Sequence, residues 1–476
     1  MPAPAAYDLI VLGAGPAGET AAATAALLGR RVAVVERGPH VGGAAVNTGT
    51  LPSKTLRETA LALSGLRTRD LYGVDLSLRR GATIEDFLRH ERAVTAGERG
   101  QISDRLARLG VTVLHGTGRF ADPHTVRVTP TDTAGEGTRL QADKVIIAVG
   151  SAPVRPPGFP FEHPCVHDSD ELVDLYALPK SLAVVGAGVI GAEYACTFAA
   201  LGVETHLLDG RDKLLPFLDA DLSAALDAGM RRLGVRITWN EAVTGCVPPA
   251  DGQPGDVTLT LRSGGVLSVS QVLVCAGRTS RTADLNPEAA GLTVAEKGRL
   301  PVDAHYRTNV PHIYAVGDCI GFPALAATSA EQGRVAACHA FGARGLDAVA
   351  PVLPTGIYTI PEVSAAGKSE AQLREAGVPY VAGRASYADV PRGKIIGDRH
   401  GFLKLLFRAD DLTLLGVHVF GELATEVVHV GVLALMAGGT ADLFVRTCFN
   451  YPTLGELYKL ATYDALLRRR AEAGPG

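Results

Sequence analysis

Residues 7–18 read Tyr7-Asp-Leu-Ile-Val-Leu-Gly-Ala-Gly-Pro-Ala-Gly18, a short apolar run followed by three glycines at GxGxxG spacing. An alanine-rich stretch then ends at Gly29, and Arg31-Val-Ala-Val-Val-Glu36 follows. The pattern predicts a buried parallel strand, a glycine turn, a helix over 17–28 and a second strand that ends at an acidic residue. These parts in this order are typical of a dinucleotide-binding βαβ unit and are far more specific than glycine spacing alone.

Each part of this unit has a physical task. Gly13, Gly15 and Gly18 allow a tight turn and the close approach of a pyrophosphate. The helix N-terminus, with Ala17 in its first turn, offers unpaired N–H groups to negative phosphates. Glu36 can accept hydrogen bonds from a ribose diol, so the stretch predicts a bound adenine dinucleotide.

The same pattern recurs 173 positions later (186 minus 13). A strand over 182–185 is followed by Gly186, Gly188 and Gly191, then by a helical segment and a strand that ends at Asp209. Two dinucleotide sites in one chain imply a flavin dinucleotide, a nicotinamide dinucleotide and electron transfer between them.

The bulk composition argues against several other classes of protein. The chain has 476 residues and a net charge of −4, without the basic footprint of a nucleic-acid binder. Its seven cysteines show no CxxC spacing and its 13 histidines no HExxH spacing, so neither a disulfide scaffold nor a metal site is expected. No targeting segment and no membrane span are visible. We therefore expect a cytoplasmic protein with reduced thiols and with no metal, nucleic-acid or membrane partner.

The expected fold class is α/β, with two Rossmann-like dinucleotide-binding domains and a C-terminal α+β domain for dimerisation. A helical stretch over about 55–110, and then a strand leading to a glycine turn over 111–120, are predicted between the two units. Pro- and Gly-rich segments at 153–164 and 341–356 indicate domain boundaries. The predicted domains are residues 1–152 as the first part of an FAD-binding domain, 153–280 as an NAD(P)-binding domain, 281–350 as the second FAD part and 351–476 as the dimerisation domain.

Taken together, these motifs resemble the flavoprotein disulfide reductase family over nearly the whole chain. The likeness rests on the two glycine loops with their acidic residues, on Gly42-Gly43 through Pro52-Ser-Lys54, on Ala276-Gly-Arg278 and on Ala315-Val-Gly-Asp318. Within the family the chain is most similar to the soluble, FAD-containing transhydrogenase branch, through Gly356–Val363, Thr413–Glu422 and Phe449–Thr453.

The resemblance implies cofactors, partners and residue roles. FAD would contact Gly13, Gly15, Ala17, Gly18, Glu36, Arg37, Gly42, Gly43, Thr48, Gly49, Lys54, Gly118, Ser151, Asp318 and Ala326. NAD(H) or NADP(H) would contact Gly186, Gly188, Val189, Ile190, Gly191, Asp209, Arg211, Gly277 and Arg278. The implied catalytic residues are Lys54, Glu193, Tyr451 and Glu456, with Lys54 beside flavin N5 and paired with Glu193. Ala326, at the start of a helix, would present its N–H near flavin O2, and the family implies a homodimer.

Two departures from the family pattern concern its redox chemistry. The positions of the family's redox cysteines are Ala45 and Thr50, so no thiolate is available there to attack a disulfide. In the family's C-terminal His–Glu dyad, the histidine position is Tyr451, whereas Glu456 remains. Tyrosine shuttles protons less readily than histidine at neutral pH. Dithiol exchange is therefore lost, while both dinucleotide motifs remain.

Three functions stay open at this point. Hydride could pass through the flavin from NADPH or NADH to a second pyridine nucleotide, as in a transhydrogenase. It could instead pass to a quinone, as in a diaphorase, or the protein could bind nucleotides only as a non-catalytic sensor. Asp209 favours the free 2′-hydroxyl of NAD(H), whereas Arg211 and Lys213 could receive the 2′-phosphate of NADP(H). This mixed patch favours the transhydrogenase.

Overall fold

The structure, a computed structural model of the chain, describes residues 5–65, 83–131, 137–172, 175, 177–250, 253, 255–343 and 348–472. The predicted helical stretch over 55–110 therefore falls in part on residues outside these ranges. Among the residues described, no helix combines the length and apolar character needed to cross a membrane.

The N-terminal region begins with the predicted βαβ unit. Its elements are β1 (Ala5–Leu12), α1 (Pro16–Leu27), β2 (Val32–Glu36), α2 (Gly43–Asn47), α3 (Thr50–Ser64), α4 (Ile84–Arg108), β3 (Thr112–His115), β4 (Thr117–Asp122), β5 (Thr125–Thr129) and β6 (Thr138–Ile147). Residues 9–12 of β1 and 32–35 of β2 are all buried. Strands covered on both faces favour such continuous apolar runs over alternating ones.

The second region repeats this pattern. Its elements are β7 (Ser151–Pro153), β8 (Val166–Asp168), β9 (Ser181–Val185), α5 (Val189–Ala200), β10 (Glu204–Leu208), α6 (Ala220–Leu233), β11 (Arg236–Thr238), β12 (Val243–Val247), β13 (Val257–Leu261), β14 (Val266–Val269) and β15 (Gln271–Val274). Strands β12, β13 and β14 form a small antiparallel sheet beside the parallel one.

The chain then returns to the first region. Strand β16 (Arg278–Ser280) is followed by β17 (Ile313–Ala315) and α7 (Ala326–Ala340). Strand β17 pairs in parallel with β6, and α7 packs closely on α1. The contact is so tight that a Cβ at Gly333 would collide with the carbonyl oxygen of Ala17. The first nucleotide-binding sheet is thus completed by a segment far along the chain.

The C-terminal region forms an antiparallel sheet covered by helices. Its elements are β18 (Thr355–Ile357), β19 (Glu362–Gly367), α8 (Glu370–Glu375), β20 (Tyr380–Ser386), α9 (Pro391–Ile396), β21 (Phe402–Arg408), β22 (Leu414–Gly421), α10 (Ala424–Met436), α11 (Ala441–Arg446) and α12 (Glu456–Glu472). The strand order is β18-β19-β22-β21-β20. The predicted strands over 403–408 and 414–420 are β21 and β22, and the other three strands complete the sheet.

The two nucleotide-binding sheets have the same construction. The first runs β3-β2-β1-β6 in parallel, and the second runs β11-β10-β9-β15-β8 in parallel. Gly15 and Gly188, which precede α1 and α5, have identical backbone angles of φ −73° and ψ −178°. The predicted α/β class, with two Rossmann-like units and a C-terminal α+β region, is confirmed.

The predicted strand and glycine turn over 111–120 appear as two strands, β3 and β4, which are divided at Gly116. A Cβ at Gly116 would lie 2.5 Å from the carbonyl oxygen of Thr129, so only glycine fits against this neighbouring backbone. The division lets β3 join the parallel sheet while β4 pairs antiparallel with β5.

Candidate dinucleotide-binding and redox site

A cavity of about 990 Å³ extends between the two glycine loops. Its lining includes most of the predicted cofactor-binding residues, namely Gly13, Gly15, Ala17, Glu36, Arg37, Gly43, Gly49, Lys54, Gly118, Ser151, Gly188, Val189, Ile190, Gly191, Gly277, Arg278, Asp318 and Ala326, together with Glu193. The volume lies at the upper end of the roughly 300–1,000 Å³ common for ligand cavities. The tertiary structure thus brings both predicted nucleotide sites to one continuous space.

Several predicted residues lie outside this lining. Gly18 and Gly186 belong to the glycine turns, and Gly42 adopts a left-handed φ of +99° before α2. Thr48 ends α2. Asp209 and Arg211 lie beyond the end of β10, and Tyr451 and Glu456 lie in the C-terminal region.

The first glycine loop has the geometry of a phosphate cradle. Gly13 has a φ of +103°, and a Cβ there would collide with the carbonyl oxygen of Ala148. Gly15, in contrast, borders open space, because the nearest atom to a Cβ built there is Cα of Gly43 at 3.7 Å. One glycine is therefore required by the turn, and the other leaves room in front of the α1 N-terminus for a ligand.

Glu36 ends β2 with its carboxylate fixed by backbone. Its Oε2 accepts a hydrogen bond from Ala14 N at 2.8 Å, and Oε1 accepts one from Gly38 N at 2.7 Å. The neighbouring Arg37 turns away and pairs with Asp284 at 3.2 Å. The carboxylate is thus oriented by the main chain, and within the described ranges no arginine or lysine forms an ion pair with it.

A polar chain crosses the centre of the cavity. Ser151 Oγ donates to Asp318 Oδ2 at 2.7 Å and accepts from Arg278 Nε at 2.8 Å. Arg278 also donates to Asp170 Oδ1 at 2.9 Å, and Arg281 lies 3.6 Å from the other oxygen of Asp170. Sequence reasoning missed Asp170 and Arg281 because they follow no recognised spacing.

Lys54 and Glu193 come from the two different halves of the cavity. Lys54 Nζ lies 2.6 Å from Glu193 Oε2, the contact implied by the family resemblance. Glu193 Oε1 accepts a hydrogen bond from Tyr358 N at 2.8 Å, and the lysine ammonium lies 5.0 Å from the centre of the Tyr358 ring. Lys54 is therefore held by a carboxylate and an aromatic face, and Tyr358 is a third participant that the sequence did not reveal.

Ala45 and Thr50 both line the cavity near Lys54. All seven cysteines fall within the described residues, and none of them forms a disulfide. Cys275 lines the cavity, but burial raises its pKa to about 12. That thiol is protonated at neutral pH, so it is a poor nucleophile.

Tyr451 and Glu456 lie away from the cavity of their own chain. Tyr451 is 74% exposed, and Glu456 begins α12 with Oε2 buried and without a hydrogen-bond partner among the described residues. The structure does not bring this predicted pair to Lys54. The C-terminal region that contains Tyr451 also has exposed apolar side chains, which are Val430, Leu433, Met436, Leu443, Tyr463 and Leu467.

A cluster of carboxylates lies outside the cavity. Asp219, Asp221 and Glu370 surround the ammonium of Lys404 at 2.5, 3.0 and 2.8 Å. Burial alone would lower the pKa of Lys404, but hydrogen bonds with these carboxylates outweigh it and raise the pKa. Three acidic groups at such distances could hold a metal ion, yet here the lysine supplies the positive charge.

Comparison with known proteins agrees with this geometry. Residues 7–333 match the pyridine nucleotide-disulphide oxidoreductase family, and residues 353–462 match the dimerisation domain of that family. The chain is 46% identical over 465 residues to a soluble pyridine nucleotide transhydrogenase of Mycobacterium bovis, covering 98% of each chain.

Solved structures show the same fold. LpdA from Mycobacterium tuberculosis has a TM-score of 0.85 at 28% identity and covers 98% of this chain and 99% of its own. The HOCl-induced flavoprotein disulfide reductase RclA from Escherichia coli also has a TM-score of 0.85, at 26% identity, over 96% and 99% of the two chains. The two glycine loops, the shared cavity and these full-length similarities show that the chain belongs to the pyridine nucleotide-disulphide oxidoreductase family.

Proposed function

We propose that the protein is an FAD-dependent transhydrogenase, which transfers a hydride between NADPH or NADH and a second pyridine nucleotide without a redox disulfide. The observation that carries this proposal is the single cavity that joins both glycine loops while Ala45 and Thr50 occupy its wall near Lys54. Full-length relatives named soluble pyridine nucleotide transhydrogenase support it.

The residues of the first unit fit FAD, the cofactor of this family. Gly15 leaves open space before the α1 N-terminus for a pyrophosphate, and Glu36 is oriented for a ribose diol. Asp318, Ser151 and Ala326 line the same cavity as Lys54. Bound FAD would supply the chemistry, because its ring can accept a hydride from one nucleotide and give it to another.

The second unit would hold the nicotinamide nucleotide. Gly188 has no atom within 4 Å of a Cβ built on it, so phosphates can approach the N-terminus of α5. Val189 and Ile190 line the cavity beyond this loop with apolar side chains. These side chains would exclude water from a nicotinamide and position it, and positioning is the main requirement of hydride transfer.

Lys54 would act as a fixed positive charge beside the redox centre. Its side chain is 24% exposed and that of Glu193 is 7% exposed, so the pair is well shielded from solvent. Electrostatic stabilisation by a preorganised charge is strong in such surroundings. We propose that Lys54 stabilises negative charge that develops on reduction and that Glu193 holds the ammonium in place.

We also propose that the working form is a cytoplasmic homodimer. The match to a dimerisation domain and the exposed apolar side chains of the C-terminal region, among them Leu433, support association. In such a dimer, Tyr451 and Glu456 would approach the cavity of the partner subunit rather than their own. The domain limits 1–152, 153–280, 281–350 and 351–476 remain predictions.

An anaerobic assay with NADPH and thio-NAD⁺ tests this function. We expect reduced thio-NAD to accumulate at a rate that depends on bound FAD, and apoprotein from which FAD has been removed is the control. If quinone is reduced quickly while thio-NAD⁺ is not, the protein is a diaphorase. If NADPH reduces neither the flavin nor an acceptor, a non-catalytic nucleotide-binding role replaces the enzyme.

A further inference from the structure

In the first unit, the turn that follows β2 leaves the carboxylate of Glu36 accessible to a ligand. Glu36 accepts hydrogen bonds from the backbone N–H groups of Ala14 and Gly38, at 2.8 and 2.7 Å. Gly38 has no side chain to place near those oxygens. The remaining acceptor capacity of Glu36 is therefore available to a ribose diol.

The second unit repeats this turn but changes one residue. Asp209 accepts hydrogen bonds from the backbone N–H groups of Ala187 and Arg211, at 2.6 and 2.8 Å. Each of these positions is 173 residues beyond its counterpart in the first unit, so Arg211 takes the place of Gly38 (211 minus 38). The sequence repeat therefore provides an internal comparison in which glycine is exchanged for arginine.

The side chain of Arg211 folds back onto this carboxylate. Nε donates to Asp209 Oδ1 at 2.8 Å, and Nη2 donates to Oδ2 at 2.6 Å. This bidentate ion pair occupies the carboxylate oxygens that a ribose diol would use. Hydrogen bonds from Arg211 outweigh burial and lower the pKa of Asp209, so the aspartate remains charged at neutral pH.

This pair is placed where it can exchange partners. The Arg211 side chain is 42% exposed, whereas that of Asp209 is 9% exposed. The guanidinium can therefore turn towards solvent without unpacking the core, while the carboxylate stays fixed by Ala187. Because the guanidinium is exposed to solvent, a ligand can draw it away from the carboxylate at a smaller cost than it could separate a fully buried pair.

On the basis of the proposed function, we infer that Asp209 and Arg211 form an exchangeable pair that lets one site accept both NAD(H) and NADP(H). The 2′-hydroxyl of NAD(H) takes the place of Arg211 on the Asp209 carboxylate. The 2′-phosphate of NADP(H) instead takes the place of Asp209 on the Arg211 guanidinium. A site with the carboxylate alone would repel this phosphate, and a site with the arginine alone would favour it.

Calorimetric binding to the FAD-loaded protein tests this inference with two ligands that carry no nicotinamide, ADP-ribose and 2′-phospho-ADP-ribose. We expect the natural protein to bind both with comparable Kd. Arg211→Gly copies the turn of the first unit. It should raise the Kd of 2′-phospho-ADP-ribose by roughly 10- to 100-fold and leave the Kd of ADP-ribose unchanged or lower. Asp209→Asn should shift the preference the other way.

Arg231→Gln is the matched control, because Arg231 forms a forked pair with Asp227 on α6 of the same region. It should change neither affinity. Arg211→Gln repeats the test should the glycine variant fold poorly. Equal loss of both ligands in the Arg211 variants, or no loss of either, would overturn the inference. Because neither ligand can exchange hydride, dual binding without thio-NAD⁺ reduction would reject only the proposed function.

Discussion

The ammonium of Lys54 lies 2.6 Å from Oε2 of Glu193, although 139 positions separate the two residues along the chain. Lys54 is on α3 of the first region, and Glu193 is on α5, directly after the second glycine loop. The C-terminal region also contacts this pair, because Tyr358 N donates a hydrogen bond to the other carboxylate oxygen of Glu193. Three parts of the chain therefore meet at one charged pair on the wall of the shared cavity.

Replacing Lys54 by methionine should slow flavin reduction by NADPH without releasing FAD. A charged hydrogen bond contributes about 1.5–3 kcal/mol, so the rate should fall roughly 10- to 100-fold. Anaerobic stopped-flow absorbance at the flavin band measures the rate of flavin reduction. Lys180→Met, at an exposed lysine of the second region, should leave the rate unchanged. An unchanged rate in Lys54→Met would remove Lys54 from the proposed catalytic residues.

The number of electrons that the protein takes up should reflect the residues at 45 and 50. With Ala45 and Thr50 in place of a cysteine pair, we expect one equivalent of a two-electron reductant per FAD. Anaerobic titration with dithionite, followed at the flavin band, counts these equivalents. A second equivalent taken up before the flavin bleaches would reveal another redox centre and contradict the prediction.

We expect the exposed apolar side chains of the C-terminal region to lie in a subunit interface. Leu433→Glu places a charge among them, at a leucine that is 71% exposed. We expect the dimer to dissociate, because burying an unpaired charge at an interface is costly. Light scattering after gel filtration measures the mass. Val266→Glu is the matched control, since Val266 is 68% exposed on the small β12–β14 sheet, and this variant should remain dimeric.

Lys404→Met should destabilise the protein, because it leaves three carboxylates facing one another without a cation. Removing one partner of a buried ion pair costs about 3–5 kcal/mol. Denaturant unfolding measures the loss, and Arg408→Met, at an exposed arginine of the same strand β21, should cost far less. A loss as small as that of the control would show that the cluster contributes little stability.

The same cluster predicts how this difference depends on pH. Burial would raise the pKa of Asp219, but hydrogen bonds from Lys404 Nζ and from the backbone N–H of Glu370 outweigh it and lower this pKa. Its contribution is therefore present above the unfolded value of about 3.9 and is lost as the pH falls through the folded pKa. The pKa of Lys404 is raised, so its contribution is present below about 10.4 and is lost as the pH rises through the folded pKa. The stability difference between natural and Lys404→Met protein should be largest between these limits and shrink below about pH 4.

Local patterns made much of the fold predictable. The glycine spacing, the apolar runs and the acidic strand ends are consequences of short-range sterics and of burial on both sheet faces, which neighbouring residues specify. A glycine turn was predicted within 111–120, but the constraint that places it at Gly116 is the carbonyl oxygen of Thr129, on another strand. Tyr358, Asp170 and Arg281 were missed for the same reason, since their partners lie far away in the chain.

The sequence by itself determined that two dinucleotide-binding units are present, that each ends in an acidic residue, and that Ala45 and Thr50 stand where the family has cysteines. Only the tertiary structure decided that both glycine loops open into one cavity, and that the Arg211 guanidinium lies on Asp209 while Glu36 is bound by backbone N–H groups. The physical reason is the separation along the chain of the residues that interact. A turn or a strand is specified by residues next to one another, whereas a cavity and an ion pair depend on how separate segments pack.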